Sequence, residues 1–324
     1  MDTSVALVAG ASRGLGFLIA RELLERDHTV VICARERVDL EEACQLLDPT
    51  GERALTYVCD VTQAEAVAEM VRWTEAEVGP IDVAITVAGV IQVMPLQNTR
   101  LEHFEEVVET MTFGPIHVAL AVLPEMRRRR RGRIGTIASI GGAVSVPHLL
   151  PYSTAKFGAI GFARGLSAEL AGTGVTSTTV VPGLMRTGSH LNARFGGDAP
   201  AEFAWFAPGA SLPLLAMDAE RAAQRIVTAV LAGRNQVVLT PLAKIGMRVA
   251  GIAPSLTTTA MKVMARLLPS PSEDNQDPTT VAGHTARGRL SSPVVEKLTT
   301  LGTRAAHRFN QMDDPHSAPT KDNS

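Results

Sequence analysis

Short apolar runs alternate with longer amphipathic segments over the first 240 residues of the chain. Seven runs rich in Val, Ile and Thr are apolar on both faces, a pattern typical of strands in a parallel sheet that is covered on both sides. They span residues 4–9, 29–33, 54–59, 81–87, 133–138, 175–181 and 236–240, and helical patterns at 15–26, 64–78, 113–130 and 153–171 separate them. This alternation predicts right-handed crossovers and an α/β fold with a doubly wound parallel sheet of about seven strands.

The alternation stops after Thr240, where a C-terminal helical extension is predicted. Residues 241–268 show the pattern of one or two amphipathic helices, separated near residues 251–255. From Pro269 the composition turns polar, so we expect residues 269–324 to be a disordered tail. Ser292 and Pro293 would suit the N-cap and the first turn of one short helix in this tail. The predicted division is therefore 1–240, 241–268 and 269–324.

Charge and composition bear on the class of partner. The 324 residues carry 31 basic and 33 acidic side chains, a net charge of −2, so no overall electrostatic attraction to nucleic acid or to acidic lipid is expected. The run Arg127 to Arg131 follows an apolar helix, and we expect it to be a solvated helix end. We find neither a signal peptide nor an apolar stretch of about 18–20 residues, which predicts a cytoplasmic location. The three cysteines lack metal-ligand spacing, so no metal is expected.

A glycine-rich turn follows the first strand and opens a helix. Gly10 would allow the tight turn, Gly14 would let the backbone approach a pyrophosphate, and Gly16 would let helix and sheet pack closely. The helix N-terminus would then offer free N–H groups to the phosphates. An ordinary strand-to-helix turn is the alternative, but this placement predicts a Rossmann-type dinucleotide site within residues 1–240. The turn comprises Gly10, Ser12, Arg13, Gly14, Leu15 and Gly16.

The end of the second strand bears on the choice of dinucleotide. NAD-specific sites usually end this strand with a carboxylate that binds the ribose 2′-hydroxyl. Here the strand ends in Cys33-Ala34-Arg35, and Arg35 together with Arg13 could bind a 2′-phosphate through charge-assisted hydrogen bonds. Two solvated arginines are the alternative, and Glu36 could weaken the preference. We predict NADP(H) in preference to NAD(H).

Three further residues form a candidate catalytic group. Tyr152 and Lys156 lie four residues apart in a helical segment, so both side chains can face one cleft. Ser139 follows the fifth strand and so lies at the carboxyl edge of the sheet, where doubly wound folds bind ligands.

Together, and in this order, these motifs resemble the short-chain dehydrogenase/reductase family over residues 3–240. Other matches are Asp60-Val61 after the third strand, Ala88-Gly89 after the fourth, and the segment from Pro182-Gly183 through Met185 to Thr187 after the sixth. The resemblance implies an oxidoreductase that interconverts alcohols and carbonyl compounds with NAD(P). Homo-dimers or homo-tetramers are common in this family, so self-association is expected by resemblance alone.

The resemblance also implies a role for each matching residue. Tyr152 would act as general acid in carbonyl reduction and as base in the reverse direction. Lys156 would bind the nicotinamide ribose and, as an ammonium, lower the pKa of Tyr152. Ser139 would hydrogen-bond the substrate oxygen. Asp60 would accept from the adenine amino group, and the backbone near Met185 and Thr187 would contact the carboxamide.

The chain departs from the family pattern at four positions. Ala9 replaces a threonine, and Thr86-Val87 replace two asparagines, although Thr86 can recover part of the hydrogen bonding. Met111 stands where the family has an asparagine that supports the proton relay. It would weaken or re-route that relay, or simply fill a gap in the core. These changes leave a second hypothesis open, a catalytically weak NADP(H)-binding regulatory or scaffold protein.

Two segments bear on the substrate and the surroundings. Residues 182–217 form a predicted lid with four aromatic residues, which either line an apolar pocket or pack the lid onto the domain. The substrate would accordingly be a small to medium apolar alcohol or carbonyl compound. The helices in residues 241–268 would suit a dimer contact, peripheral membrane contact or packing against the core. The four lid aromatics are Phe195, Phe203, Trp205 and Phe206.

Overall fold

A computed structural model describes residues 4–212, 216–270 and 277–311. These residues form twelve strands, β1 to β12 in chain order: Val5–Ala9, Thr29–Ala34, Ala54–Val58, Ile81–Thr86, Gln92–Val93, Gly132–Ile137, Val175–Val181, Met185–Arg186, Arg194–Gly196, Met217–Asp218, Gln236–Val238 and Thr280–Ala282. They also form thirteen α-helices, α1 to α13: Gly14–Leu24, Arg37–Leu47, Ala64–Glu77, Leu101–Val108, Gly114–Arg128, Leu150–Glu169, Ser189–Asn192, Ala199–Gly209, Ala219–Leu231, Pro241–Ile252, Pro254–Ala265, Gly283–Leu290 and Pro293–Arg308.

The main sheet has seven strands in the order β3-β2-β1-β4-β6-β7-β11, and all neighbouring pairs are parallel. The predicted doubly wound sheet is confirmed, and each of its strands lies within two residues of the predicted bounds. The strand order reverses between β1 and β4. The segments that follow these two strands leave in opposite directions, which opens a crevice at the carboxyl ends of the strands.

The core is divided into two layers by the sheet. Alternate residues of β1 point to opposite faces, so Ala6 and Val8 join the layer under α1 and α9, while Leu7 joins the layer under α3 and α5. Every residue of β1 is buried. A strand apolar on both faces needs cover on both sides, and the flanking helices supply it.

The C-terminal segment differs from the predicted disordered tail. Residues 277–311 form β12, which pairs antiparallel with β9, followed by α12 and α13, which pack against α7 and α8. Small and aromatic side chains such as Ala306 and Phe309 are buried there. The segment therefore has a narrow apolar face although its overall composition is polar. The helix predicted after Ser292 is present as α13, and Ser292 accepts a hydrogen bond from Val295 N–H. Residues 271–276 and 312–324 of the predicted tail lie outside the described residues.

The arginine run is not the wholly solvated helix end that the sequence predicts. The Arg129 guanidinium lies 2.8 Å from Asp82 Oδ1 and also donates to the carbonyl oxygen of Ile81 at 2.6 Å. Arg131 lies 3.3 Å from the same Asp82 carboxylate. The run therefore joins the C-terminal end of α5 to the start of β4. The sequence could not indicate this, because the partner carboxylate lies 47 residues away.

One helical stretch, Leu101–Arg128, is long and apolar enough to cross a membrane by length and composition. Within it, α5 packs against α3 and β4, and residues such as Val118 and Val122 belong to the core. Core helices of soluble proteins meet the same criteria, so this stretch is weak evidence for a membrane span.

Candidate functional site

A cavity of about 430 Å³ lies at the carboxyl end of the sheet. It extends from the glycine turn, past the ends of β2, β3, β4 and β6, to the lid. All predicted site residues except Gly14 line it: Gly10, Ser12, Arg13, Leu15, Gly16, Arg35, Asp60, Val61, Ala88, Gly89, Ser139, Tyr152, Lys156, Pro182, Gly183, Met185 and Thr187. The fold thus gathers residues from separate segments of the chain at one crevice.

The glycine turn has the close backbone approaches that were predicted. Gly10 has a φ of +87°, and a Cβ there would lie 2.5 Å from the backbone nitrogen of Ala88. A Cβ on Gly16 would overlap the carbonyl oxygen of Gly10. Any side chain at these positions would force the turn, β4 and α1 apart. The result is an open cradle of backbone at the N-terminus of α1, which suits a pyrophosphate.

Two exposed guanidinium groups line the cavity within and beside the glycine turn. Arg13 and Arg35 both line it, and Arg13 Nη1 lies 3.7 Å from Asp39 Oδ2. Asp60 also lines the cavity, and its Oδ1 accepts a hydrogen bond from Thr62 N–H at 2.9 Å. Two cations and a glycine cradle at one crevice fit a phosphorylated dinucleotide.

Ser139, Tyr152 and Lys156 meet beyond the end of β6. Ser139 Oγ accepts a hydrogen bond from Gly141 N–H at 3.0 Å, and the Tyr152 hydroxyl is hydrogen-bonded to Ser139. Lys156 lies one turn further along α6. Its Nζ donates to the carbonyl oxygen of Ile137 at 2.8 Å and lies 5.9 Å from the centre of the Tyr152 ring. The three polar side chains therefore converge on one point of the cavity wall.

Burial dominates the ionisation of both titratable groups. It raises the pKa of Tyr152, and the hydrogen bond with Ser139 opposes this effect because it favours the phenolate. Burial also lowers the pKa of Lys156 to about 8. The family resemblance led us to expect that the Lys156 ammonium depresses the pKa of Tyr152. The larger effect on the pKa of Tyr152 is burial, and the opposing contribution comes from Ser139.

Met111 lies in a π-helical turn, Glu109–Phe113, between α4 and α5. Its side chain is buried and lines the cavity, and its Sδ would lie 3.3 Å from a Cβ on Gly89. Thr112 Oγ1 donates to the carbonyl oxygen of Ala155 at 2.9 Å, which ties this turn to the helix of Tyr152 and Lys156. π-turns are frequent at functional sites. The methionine fills space beside the cofactor crevice and supplies no amide there.

Of the four aromatic residues in the lid, some pack the lid onto the domain and one lines the cavity. Phe195 and Phe203 are fully buried, with ring centres 5.5 Å apart, and Trp205 donates from Nε1 to Glu202 at 2.6 Å. Phe206 is the one of the four that lines the cavity. The packing interpretation therefore holds for three of them, because α12 and α13 cover the side of the lid that faces away from the cavity.

Two glycines to which the sequence assigned no role allow the catalytic group to assemble. A Cβ on Gly142 would overlap the carbonyl oxygen of Lys156, and one on Gly141 would lie 3.0 Å from Tyr152 Cε1. They let the turn that follows Ser139 press directly against α6. The run Ser139-Ile140-Gly141-Gly142 was the available signal, since two adjacent glycines beside a candidate catalytic residue indicate close backbone packing.

The C-terminal segment also reaches the site, which the sequence did not indicate. The carbonyl oxygen of Phe309 accepts a hydrogen bond from Gly14 N–H at 2.7 Å. Asn310 Nδ2 donates to the carbonyl oxygen of Ser12 at 3.1 Å. The Gln311 side chain covers Gly14 where a Cβ would stand, which is why Gly14 does not line the cavity.

Comparison with known proteins identifies the family that this chain matches. Residues 4–194 match the family "short chain dehydrogenase". A Streptomyces coelicolor protein described provisionally as a ketoacyl reductase is 37% identical over 195 residues, which cover 60% of this chain and 75% of that protein. Human 17-beta-hydroxysteroid dehydrogenase 13 is 30% identical over 191 residues, 58% of this chain and 64% of that protein.

Two solved structures are similar over most of their length. One is a short-chain dehydrogenase from Streptomyces avermitilis, with a TM-score of 0.69 and 28% identity over 82% of this chain and 98% of that one. The other is a point-substituted actinorhodin polyketide ketoreductase with NADPH, with a TM-score of 0.66 and 30% identity over 76% of this chain and 98% of that one.

Proposed function

Since this chain belongs to the short-chain dehydrogenase family, whose members use NAD(P) on CH–OH and C=O groups, we propose that it reduces an apolar carbonyl compound with NADPH. The observation that carries the proposal is the convergence of Ser139, Tyr152 and Lys156 on a cavity that begins at a glycine cradle. The same residues serve the reverse oxidation of an alcohol.

Each side chain has a distinct task in this proposal. A nicotinamide cofactor held at the glycine cradle and at Lys156 would supply the hydride for the carbonyl carbon. Ser139 donates a hydrogen bond to the substrate oxygen, which stabilises the charge that develops on it. Tyr152 gives its hydroxyl proton to that oxygen, completing the alcohol. Lys156, held by the Ile137 carbonyl, stabilises the resulting phenolate until the proton is replaced.

The test uses the only two tyrosines of the chain as a matched pair. Tyr152→Phe should lower kcat for a carbonyl panel by about 10²–10⁴-fold, while the dissociation constant for NADPH changes little. Tyr57→Phe is the control, because Tyr57 lies in β3 beside Trp73, 5.2 Å between ring centres, and does not line the cavity. Equal rates in the wild type and Tyr152→Phe would refute the catalytic proposal. They would support the NADP(H)-binding regulatory protein that Met111 and the raised pKa of Tyr152 keep as the second candidate.

The preference for NADP(H) is a separate proposal, supported by Arg13 and Arg35 at the adenosine end of the cavity. Arg35→Ala should lower kcat/KM for NADPH by about tenfold or more, because a charge-assisted contact to the 2′-phosphate is lost, and leave NADH nearly unchanged. Arg37→Ala is the control, since Arg37 is exposed on α2 and pairs with Glu41 outside the cavity. More efficient turnover of NADH than of NADPH by the wild type would contradict this preference.

The apolar character of the substrate rests on the wall beyond Tyr152. Most of the side chains there are aliphatic or aromatic, and they favour a small to medium apolar group next to the reacting carbonyl. Longer apolar ketones should therefore have a lower KM than short polar ones. The residues concerned are Val90, Ile91, Ile140, Val146, Leu149, Leu184, Phe206 and Ala210.

We also propose that the chain self-associates, in the cytoplasm, through the outer face of α5 and α6. Leu120 and Phe157 are 60% and 47% exposed there, with Phe113 at 42% close by. Large apolar side chains grouped on neighbouring helices mark an interface. Light scattering should give a dimer or tetramer for the wild type and a smaller species for Leu120→Arg. Leu46→Arg, at an exposed position on α2, should not change the mass.

A further inference from the structure

Helices α10 and α11 form a hairpin that hardly contributes to the core. Within the described residues, α10 buries Ala243 alone and α11 buries none. Among the described residues the main neighbour of α11 is α10, and neither the sheet nor the described part of the lid covers it. A twelve-residue helix with no buried side chain is marginal in water. The alternative of packing against the core is therefore wrong for α11, and the hairpin needs something else to cover it.

Each helix of the hairpin presents an apolar stripe to solvent. Leu242, Ile245, Val249 and Ile252 follow the spacing of one helix face, and their exposed fractions run from 41% to 85%. On α11 and just beyond it, Leu256, Val263 and Leu267 do the same, at 54% to 81%. Single exposed apolar residues are ordinary, but seven within one hairpin mark an interaction surface.

The charge of the hairpin indicates which partner covers this surface. Residues 241–268 contain four cations and no Asp or Glu, so every charged side chain of the segment is basic. In a two-fold contact between copies of the chain, the same patch meets itself, and these cations would face each other without carboxylates of the hairpin to pair with. An anionic lipid surface satisfies both features, because it accepts the apolar stripe and attracts the flanking cations. The cations are Lys244, Arg248, Lys262 and Arg266.

We propose that the α10–α11 hairpin docks the protein on an anionic lipid surface. The hairpin also borders the reaction site, because Gly246 of α10 lies beside Ile140, which lines the cavity. Docking would bring the mouth of the cavity close to the lipid, from which an apolar substrate could enter. This consequence rests on the proposed function, whereas lipid binding itself does not.

The test is co-sedimentation of the full-length chain with vesicles, which needs no turnover. The vesicles are phosphatidylcholine alone or a mixture of phosphatidylcholine with phosphatidylglycerol as the minor component. The wild type should bind the mixed vesicles at least about tenfold more strongly than the combined variant Leu256→Ser, Val263→Ser, Leu267→Ser. That variant should fold, because α11 has no buried residue. The control replaces three exposed apolar residues elsewhere, Val38, Leu46 and Leu96, by serine.

Charge provides the second arm of the test. Replacing the four cations of the hairpin by glutamine should reduce binding to the mixed vesicles and abolish the difference between the two lipid compositions. Equal pelleting of the wild type and the triple serine variant would overturn the proposal. So would a wild type that stays in the supernatant but forms dimers that the serine variant lacks, since that result assigns the surface to a second copy.

A separate observation carries a second inference, about residues 309–311, which we call the C-terminal strap. The strap covers the N-terminus of α1, where a pyrophosphate is expected. Phe309 is buried in the core and anchors the strap, and its carbonyl oxygen uses the N–H group of Gly14. Asn192 Nδ2 donates to the carbonyl oxygen of Gln311 at 3.3 Å, which fixes the far end. The glycine that would let a backbone approach the phosphates is thus covered by the protein itself.

The side-chain amide of Gln311 is incompletely hydrogen-bonded. Its Oε1 is buried without a hydrogen-bond partner among the described residues, which costs free energy. A pyrophosphate at the same helix N-terminus would bring full negative charge to the N–H groups and the dipole, where the Phe309 carbonyl brings only a partial charge. We infer that the C-terminal strap closes the phosphate end of the site and moves aside when the dinucleotide binds.

Binding of NADPH without substrate tests the strap. Gln311→Ala combined with Asn310→Ala should lower the dissociation constant for NADPH by about two- to tenfold, because the contacts that compete with the cofactor are removed. Phe309 is kept so that the anchor remains in the core. Lys297→Ala, at an exposed position on α13, is the control. An unchanged constant would overturn the inference, and so would a raised constant, which would make Gln311 a ligand of the cofactor. Absence of binding in every variant would refute the proposed function as well.

Discussion

We expect acidification from about pH 7.5 to about pH 5 to destabilise the fold through one buried imidazole, that of His190. His190 lies on α7 and is fully buried, with its ring centre 6.0 Å from that of Phe203. Both ring nitrogens lack a hydrogen-bond partner among the described residues. Gly302 of α13 presses against the ring, since a Cβ there would lie 2.6 Å from His190 Cε1. The C-terminal helix α13 thus covers this imidazole of the lid.

The magnitude follows from the shift in pKa. Burial, assisted by the positive charge of Arg287, lowers the pKa of His190 from 6.5 to about 4. The folded chain therefore holds the imidazole neutral, whereas the unfolded chain protonates it below about pH 6.5. The stability that the neutral ring contributes is complete above about pH 6.5 and is lost as the pH falls toward about 4. At about 1.36 kcal/mol per pH unit, the loss is about 2 kcal/mol at about pH 5 and about 3.4 kcal/mol in full.

The measurement compares the free energy of unfolding in urea at both pH values for the wild type and for His190→Met. Carboxylates also contribute to acid unfolding, so only the difference between the two proteins isolates His190. The wild type should lose about 2 kcal/mol more than the variant on going to about pH 5. His307→Met, at an exposed position on α13, should behave like the wild type. The same pH dependence in the wild type and His190→Met would refute the reasoning.

Three further predictions concern the packing around the site. Gly142→Ala should lower kcat by about 10²-fold, because its Cβ would push the Ser139 turn away from the Lys156 carbonyl. Gly161→Ala should keep full activity, because Gly161 lies on α6 with open space where a Cβ would stand. Phe203→Ala should lower the free energy of unfolding by about 3–5 kcal/mol, since this ring of the lid is fully buried. Val38→Ala at an exposed site should lower it by less than about 0.5 kcal/mol. Glu202→Gln should lower it by about 1–3 kcal/mol, because the buried carboxylate accepts from both His148 Nδ1 and Trp205 Nε1 and an amide cannot replace both acceptors. Urea titration checks the last two, and a loss within error for either would show that the lid side tolerates rearrangement.

Local sequence patterns are sufficient to predict most of the candidate catalytic site and the sheet that carries it. Strand periodicity, the glycines of the first turn and the four-residue spacing of Tyr152 and Lys156 depend on neighbours along the chain, so the sequence carries them directly. Parallel strands then bring their carboxyl ends to one edge, which places Ser139, Asp60 and Ala88 at the same crevice without further information.

Other features depend on residues that are distant along the chain, and only the tertiary structure decides them. Asn310 donates to the Ser12 carbonyl across a separation of 298 residues, and no local pattern encodes such a contact. The pairing of Arg129 with Asp82 and the burial of Phe195 and Phe203 in the cluster that α12 and α13 complete are of the same kind. A polar composition predicted disorder for the C-terminal residues, but small side chains such as Ala306 suffice for packing when a complementary surface already exists.

The exposed hairpin and the covered glycine turn each combine a feature that the sequence predicts with one that only the tertiary structure decides. The amphipathic pattern of residues 241–268 is visible along the chain, but whether its apolar stripes meet the core or the solvent depends on the surfaces that the rest of the fold leaves open. Likewise the glycine turn alone predicts a phosphate site, while its cover by the C-terminal strap follows from the path of α13. Periodicity determines which residues form an element and which face is apolar. Long-range packing determines what that face contacts, because contact depends on distance in space and not on separation in sequence.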